Sequence, residues 1–371
     1  MSADSNQIAS VSKTSESRRE SLTAILFLTP FLLVYLIFLV YPFFKGIWIS
    51  LHDWNLLKVA FNPAAKEFIG LGNYVRLFWG THMEWSAMNA IWLQFGAICL
   101  VVLSMFAARK GLLGKRGLVL ALVTLLTVYF IGGWAPGEDG RWFDRRFWPI
   151  VGNTLMFVFV TAPAVTLISL VLAASLNRES RAMGVFRTLF FLSQVLSVTV
   201  VTLIWQIMFS PRQGMIASIT EMLGGTPVAW LAEPGFSMAA IVIATVWWSV
   251  GIAMVLFLAG LQEISSEIYE AAKLDNAGPI ATFWHITVPN MTRTITLVVV
   301  LQIILHFQVF GQAHLMTSGG PNDGTQTLVR YIYQTAFRDS DLGLASAMAV
   351  FLFLIMALFS AVQFLIRKEE V

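Results

Sequence analysis

Residues 270–289 read EAAKLDNAGPIATFWHITVP, a polar, helix-forming stretch inside a chain that is otherwise mostly apolar. Just upstream, Ser265 or Ser266 is placed to cap a helix, its hydroxyl accepting from an orphan backbone N–H. Glu267 then falls in the first turn, where the helix dipole favours an anion. Tyr269 to Asp275 are mostly tolerable or good helix formers, and Asn276 suits the left-handed residue that ends a helix. Gly278 loosens the chain, Pro279 suits the first position of a second helix, and Pro289 is expected to stop that helix. The spacing predicts a short helix–turn–helix over 262–293, lying along a membrane surface. Ile264, Ile268, Ala271, Ala272 and Asp275 share one side of it. The adjacent alanines allow close approach, and Glu270 and Asp275 offer negative charge to a basic partner. By spacing alone the helix either docks a partner or folds back on its own bundle.

Working outward, hydrophobic residues make up 57% of the 371 and charged residues only 12%. A soluble domain carries about 25% charged residues, so much of this surface is expected to face lipid. The formal net charge of +3 is too small to argue for nucleic acid. The one cysteine, Cys99, lies in an apolar run and excludes a disulfide framework. A spanning helix needs about 20 mainly apolar residues. Stretches near 22–44, 88–108, 117–134, 150–176, 187–209, 236–261, 294–316 and 343–366 meet that requirement, predicting an all-α polytopic membrane protein with about eight spans. The polar first residues lack the apolar core of a signal peptide, so 1–21 is read as a tail before a retained first span. Arg18 and Arg19 precede that span, Arg109, Lys110, Lys115 and Arg116 crowd one short loop, and Arg178, Arg181 and Arg187 another. The positive-inside bias then places both termini in the cytoplasm, against which Arg141, Arg145 and Arg146 count. The implied organisation is a tail at 1–21, spans one to three over 22–149, a core of spans four to eight over 150–366 containing the loop 262–293, and a tail at 367–371.

EAA, three residues and a turn, then Ile286 and Pro289, resembles the signature of inner-membrane permease subunits of binding-protein-dependent ABC importers. Glu270, Ala271, Ala272, Asp275, Ala277, Phe283, Ile286 and Pro289 match that pattern. Asn276 stands where the family usually has Gly, and Val288 where it usually has Leu. YPFFKGIWISLHDWN from Tyr41, FIGLGNYVRLF from Phe68, RFWPIVGNTLMF from Arg146 and TSGGPNDGTQTLVRYIYQTAF from Thr317 resemble segments of the larger permease of maltose- and α-glucoside-type systems. Residues 79–143 depart from it by adding a pair of spans, and the outer loop at about 135–149 is short.

The resemblance implies the type I importer permease fold and a coupling helix docked in a cleft on an ATP-hydrolysing subunit. Glu270 would pair with a basic group there, and the Ala271–Ala272 face would seat in the groove, with Asp275, Asn276, Gly278, Ile286 and Pro289 completing the loop. It also implies partners: an ATPase dimer holding the ATP and Mg, a second related permease, an extracytoplasmic solute-binding protein and a sugar. This chain itself would bind no cofactor and catalyse nothing, and would lie in the bacterial plasma (inner) membrane. The chain lacks a G-x-x-x-x-G-K-[ST] phosphate loop, because GLLGKRG at Gly111 has the wrong spacing.

Sugars need hydrogen-bonding side chains and flat aromatic faces. The fifth stretch offers Gln194, Thr199, Thr202, Trp205 and Gln206, the sixth Trp247, Trp248 and Ser249, and the seventh Gln302, His306, Gln308, Gln312 and His314. Gln206, Trp247, Gln302, His306, Gln308 and Gln312 are the candidates for a substrate pathway. Gln302 and His306 form one polar strip and Gln308 and Gln312 another; one is expected to line a cavity and the other to pack on a neighbouring helix. Pro163 is expected to kink its span. After Thr317 a turn-rich loop leads to a rim helix from about Thr325 to Arg338. An ion-coupled secondary sugar carrier is the alternative, but no Asp or Glu sits near the middle of any predicted span. A membrane enzyme such as a glycosyltransferase would need acidic or His clusters, and Asp139 and Asp144 are isolated.

Overall fold

The structure is a computed structural model that describes residues 23, 25–80, 84–85, 91–109, 115–132, 134–135, 144–178 and 180–368. The expected tail at 1–21 and most of the loop at 135–149 lie outside the described residues, as do the last three residues. The described chain is almost entirely helical, with two small two-stranded sheets.

The first helix, α1 (Ile25–Ser50), contains a π turn at Leu36–Val40. Strands β1 (His52–Asp53) and β2 (Glu67–Phe68) pair antiparallel and lead to α2 (Gly72–Trp79). Helices α3 (Ile91–Arg109) and α4 (Lys115–Gly132) pack on each other. Then come α5 (Phe147–Leu176), α6 (Arg181–Val195), α7 (Val198–Met208) and α8 (Phe236–Gln262). The surface helix α9 (Ser266–Leu274) is followed by α10, which runs through Pro279–Thr282, a π turn at Phe283–Thr287 and Val288–Asn290. Helices α11 (Thr292–Phe307), α12 (Gly311–Met316), α13 (Leu328–Tyr333) and α14 (Leu342–Lys368) complete the chain.

Among the described residues, five helices are long and apolar enough to cross a membrane, or six if the bent pair α6–α7 is one span. The predicted spans 88–108 and 117–134 appear as α3 and α4, whose apolar helical stretches are shorter, 94–107 and 119–128. The predicted span 187–209 is not one rod. It begins earlier, at the Ser180 cap, and bends by 102° between α6 and α7. Leu196 is extended there, and the Ser197 hydroxyl accepts from the Val200 N–H to start the new helix.

The core is built on α5, which packs against both α8 and α11. Its 30 residues span about 45 Å at 1.5 Å per residue, and the helix passes Pro163 as a single element. Phe157, Val158, Thr161, Ala162, Val165 and Ser169 are buried on one face, while Met156, Phe159, Val160, Leu167, Ile168 and Val171 stay exposed on the other. The small hydroxyl residues go to the inner face because lipid is as apolar as leucine, so close packing and hydrogen bonds decide which side turns inward. Ser169 Oγ donates to the Val250 carbonyl of α8 at 3.1 Å. Gly251 lets α8 touch the α6 backbone: a Cβ there would lie 2.4 Å from the Phe190 carbonyl oxygen.

One end of α5 meets the segments whose sequences stood apart as motifs. Asn73 Nδ2 donates to the Ser50 and His52 carbonyls, both at 2.9 Å. The Leu342 N–H donates to the Trp54 carbonyl at 2.9 Å, and Arg76 pairs with Asp341. Asp144 Oδ1 accepts from the Phe147 N–H at 2.6 Å and so caps the start of α5. Arg146 forks onto Asp323, with Nε 2.9 Å from Oδ2. Burial works against the Arg146 charge, but the hydrogen bond and charge of Asp323 outweigh it and hold the guanidinium pKa above its usual value. Asn153 Nδ2 donates to the Asp323 carbonyl at 2.9 Å, and Thr154 Oγ1 accepts from the Leu328 N–H at 2.9 Å. The expected rim helix is α13 extended by a π turn at Gln334–Arg338. The other end of α5 packs with Met183, Leu261, Ile264, Phe283 and Met291, beneath α9 and α10. Arg187 of α6 closes that end, its Nη2 donating to the Leu176 carbonyl at 2.6 Å and the Arg178 carbonyl at 3.1 Å.

Candidate functional site

Two features at different depths of this bundle carry the candidate residues. The first is the surface helix α9 with its turn. The Ser265 hydroxyl accepts from the Glu267 N–H at 3.3 Å and caps the helix. At the other end Asn276 adopts φ 55°. The Ala277 N–H donates to the Ala272 carbonyl at 2.9 Å and the Asn276 N–H to the Lys273 carbonyl at 3.0 Å. That pair of bonds is the Schellman arrangement, with asparagine at the left-handed position that glycine usually fills. Gly278 is the N-cap of the next helix and Pro279 its first residue.

Pro289 does not stop α10 as expected. The chain stays helical to Asn290 and breaks at Met291, where φ is −93° and ψ 3°. Proline lacks the N–H for one helical bond and crowds the preceding turn. The π turn at Phe283–Thr287 relaxes that turn, with the Val288 N–H reaching back to the Phe283 carbonyl. The Tyr269 hydroxyl lies 3.2 Å from the Thr287 hydroxyl and ties α9 to α10.

The expected Ala271–Ala272 face is divided. Ala272 is only 5% exposed and packs into its own bundle, whereas Ala271, Glu270 and Asp275 are exposed. Adjacent helical residues lie about 100° apart, so Ala272 can pack inward while Ala271 faces outward. Ile286 is half-buried. Leu274 is 88% exposed, and Ile280 and Trp284 are exposed beyond the turn. The outward surface therefore combines two carboxylates with large apolar side chains. The sequence reading passed over those apolar residues because it followed the motif positions and the Ile264–Ile268 side.

The second feature is a cavity of about 300 Å³ among α6, α7, α8, α11 and α12, beside the exposed Leu305 and Gln308. Both of its flanking walls come from broken helices. Gln194 and Val198 stand on either side of the α6–α7 bend, and Gln308, Val309 and Phe310 form the break between α11 and α12, with Gly311 and Gln312 in the first turn of α12. Non-helical backbone at membrane depth is tolerated where it lines a cavity, so the two breaks belong together physically. Thr245, Trp248 and Ser249 of α8 and Leu305 and His306 of α11 close the lining. No Asp, Glu, Lys or Arg is among these residues.

Of the sequence candidates, His306, Gln308 and Gln312 line this cavity, while Gln206, Trp247 and Gln302 do not. Gln206 Nε2 donates to the Leu315 carbonyl at 2.8 Å and fastens α7 to α12. Trp247 points away and packs edge-on against Trp205, with centroids 5.9 Å apart, and its neighbour Trp248 takes the inward position. Gln302 is 1% exposed, with Oε1 unpartnered. Its backbone carbonyl accepts from His306 Nδ1 at 2.6 Å, which orients the ring and leaves Nε2 for another partner. The two polar strips therefore do not sort as one inside and one outside, because α11 ends at Phe307 and the break turns Gln308 and Gln312 to the same cavity as His306. Gln194 Oε1 and Trp248 Nε1 are buried without a hydrogen-bond partner. An unmet buried polar group costs about 1–3 kcal/mol, so a hydroxylated guest that supplied one donor and one acceptor would be favoured here.

Residues 165–369 match the family model described as "Binding-protein-dependent transport system inner membrane component". The chain is 29% identical to the probable ABC transporter permease protein YurN of Bacillus subtilis (strain 168), over 93% of this chain and 97% of that one. It is 33% identical to the lactose transport system permease protein LacF of Rhizobium radiobacter, over 62% of this chain and 78% of that one. The crystal structure of a bacterial ABC transporter involved in the import of the acidic polysaccharide alginate superposes with a TM-score of 0.67 at 15% identity, covering 96% of this chain and 99% of the matched one.

Proposed function

The chain belongs to the family of binding-protein-dependent transport system inner membrane components, and from that membership we propose that it forms half of the transmembrane path of an ATP-driven sugar importer. In this reading an ATPase dimer docks on α9, a second permease faces the cavity, and an extracytoplasmic solute-binding protein delivers the sugar to the rim around Arg146 and Asp323. Both chain termini face the cytoplasm. The substrate is an uncharged oligosaccharide of the lactose or α-glucoside kind.

The observation that carries the reading is the pairing of an uncharged, amide-rich cavity with an exposed carboxylate-bearing helix at the far end of the same bundle. Helix α8 links them: Thr245, Trp248 and Ser249 line the cavity, and the chain leaves α8 directly into α9. A displacement of α9 by a closing ATPase dimer is thereby transmitted along one helix to the cavity wall. Glu270 would meet a basic group of the ATPase, and Ala271 and Leu274 would enter its groove. Alternating access then follows from rocking of α8 against α5 and α6. The lining also bears on the ion-coupled alternative, because it offers no carboxylate for a proton or sodium ion.

The test is co-purification of the ATPase from membranes expressing the full transporter. Glu270→Lys combined with Ala271→Trp is expected to abolish both ATPase retention and sugar uptake while membrane insertion stays normal. Sugar uptake by the purified chain along an ion gradient, with no ATPase attached, would end the proposal.

A further inference from the structure

We propose that Phe310, His314, Tyr333 and Phe337 form a stacking track along which an uncharged saccharide moves between the rim and the cavity; this rests on the sugar-importer reading. Phe310 lines the cavity. Its ring is nearly parallel to that of His314, with centroids 4.9 Å apart and planes 14° apart. Tyr333 sits 5.1 Å from Phe310 and 5.3 Å from His314, and Phe337 lies 5.2 Å beyond Tyr333. The series begins at the cavity and ends at the surface, where Phe337 is 68% exposed and Tyr333 is also exposed.

This arrangement suits a sugar for two reasons. The axial C–H groups of a pyranose ring pack on an aromatic face, while its equatorial hydroxyls stay free for hydrogen bonds. With centroids about 5 Å apart, the rings present adjoining outer sides to a moving sugar, the facing sides of Phe310 and His314 covering each other. Hydrogen-bonding groups stand beside the faces at the inner end. His314 Nδ1 is buried without a partner, and Gln308 and Gln312 line the cavity next to Phe310. Nothing in the cavity lining would neutralise a charged sugar, and burying an unpaired charge is costly. A lipid-interface role accounts for exposed rings at the surface, but not for their continuation into the cavity.

The test uses the full transporter in proteoliposomes with 14C-labelled lactose, maltose and trehalose. Phe337→Leu and Tyr333→Leu keep the side chains apolar but remove the flat faces, and Phe337→Tyr keeps a face. Each leucine variant is expected to raise the uptake KM roughly two- to tenfold, the range that about 0.5–1.5 kcal/mol of aromatic contact implies. The maximal rate should hold, and Phe337→Tyr should behave as wild type. Unchanged KM in both leucine variants overturns the track, as does a fall in maximal rate alone, which would mark a structural or lipid-anchoring role. A wild-type transporter that imports none of the three sugars instead overturns the lactose or α-glucoside substrate of the sugar-importer reading, and the track falls with it.

Discussion

The hydroxyls of Tyr269 and Thr287 meet at 3.2 Å, joining α9 to α10 across the turn at Asn276. Thr287 is buried and also donates to the Thr282 carbonyl at 3.4 Å, which leaves its oxygen to accept from Tyr269. The contact is a direct side-chain tie between α9 and α10. Tyr269→Phe removes one neutral hydrogen bond, worth about 0.5–1.5 kcal/mol. The expected outcome is normal insertion and ATPase retention with fewer sugars imported per ATP hydrolysed. Measuring uptake and hydrolysis in the same proteoliposomes checks this; an unchanged ratio would show that the tether carries no motion.

Asn276 holds the left-handed position of the turn. Asn276→Gly should be neutral or slightly stabilising, because glycine adopts that conformation freely. Asn276→Val should cost about 1–2 kcal/mol, because a β-branched side chain crowds the backbone at positive φ and lacks the polar group by which asparagine tolerates that conformation. Thermal unfolding of the purified complex should therefore rank Gly at or above Asn and Val well below it.

Ala271 and Ala272 differ by one position and should respond oppositely to enlargement. Ala272→Leu overpacks a buried site and is expected to lose about 1–3 kcal/mol of stability, read as a lower melting temperature and yield. Ala271→Leu projects into solvent and should leave the melting temperature unchanged while weakening ATPase retention. Equal melting temperatures for the two would contradict the burial of Ala272.

Arg187 donates to the Leu176 carbonyl that ends α5 and to the Arg178 carbonyl just beyond it. Arg187→Met keeps most of the apolar stem and removes bonds from a charged donor, each worth about 1.5–3 kcal/mol. The variant should melt several degrees lower with an unchanged KM for sugar, because the cap lies at the opposite end of α5 from the rim. A KM change without a melting shift would argue against a purely structural cap.

Trp248 Nε1 is unpartnered at the cavity. Trp248→Phe keeps an aromatic face and deletes that donor. If a sugar hydroxyl accepts from it, KM should rise by about two- to tenfold, in line with one neutral hydrogen bond of about 0.5–1.5 kcal/mol. The empty transporter should meanwhile be as stable as wild type or slightly more so. An unchanged KM would remove Trp248 from the sugar contacts.

Much of this protein was legible in residue order alone. Membrane spans follow from run length and the scarcity of charge, since a helix in lipid must satisfy its own backbone. The α9–α10 turn was equally readable, because Ser265, Asn276, Gly278 and Pro279 each act on the backbone next to them. Which face of each apolar helix turns inward was not legible. In α5 both faces are apolar, and only packing reveals that Thr154, Thr161, Thr166 and Ser169 lie on the buried side while Ser175 stays exposed.

The break at Leu196 was masked by hydrophobicity: Ser197 is a sound cap signal, but a long apolar run reads as one rod. The choice of Trp248 over Trp247 for the cavity depends on how α8 is rotated against α5 and α6, which no local preference sets. Local hydrogen bonding and the cost of exposing backbone to lipid therefore determined the helices and the α9–α10 turn from sequence. The cavity, the division of Ala271 from Ala272 and the rim contacts of Thr154 with Leu328 arise only when distant helices pack, because each depends on a neighbour supplied from elsewhere in the chain.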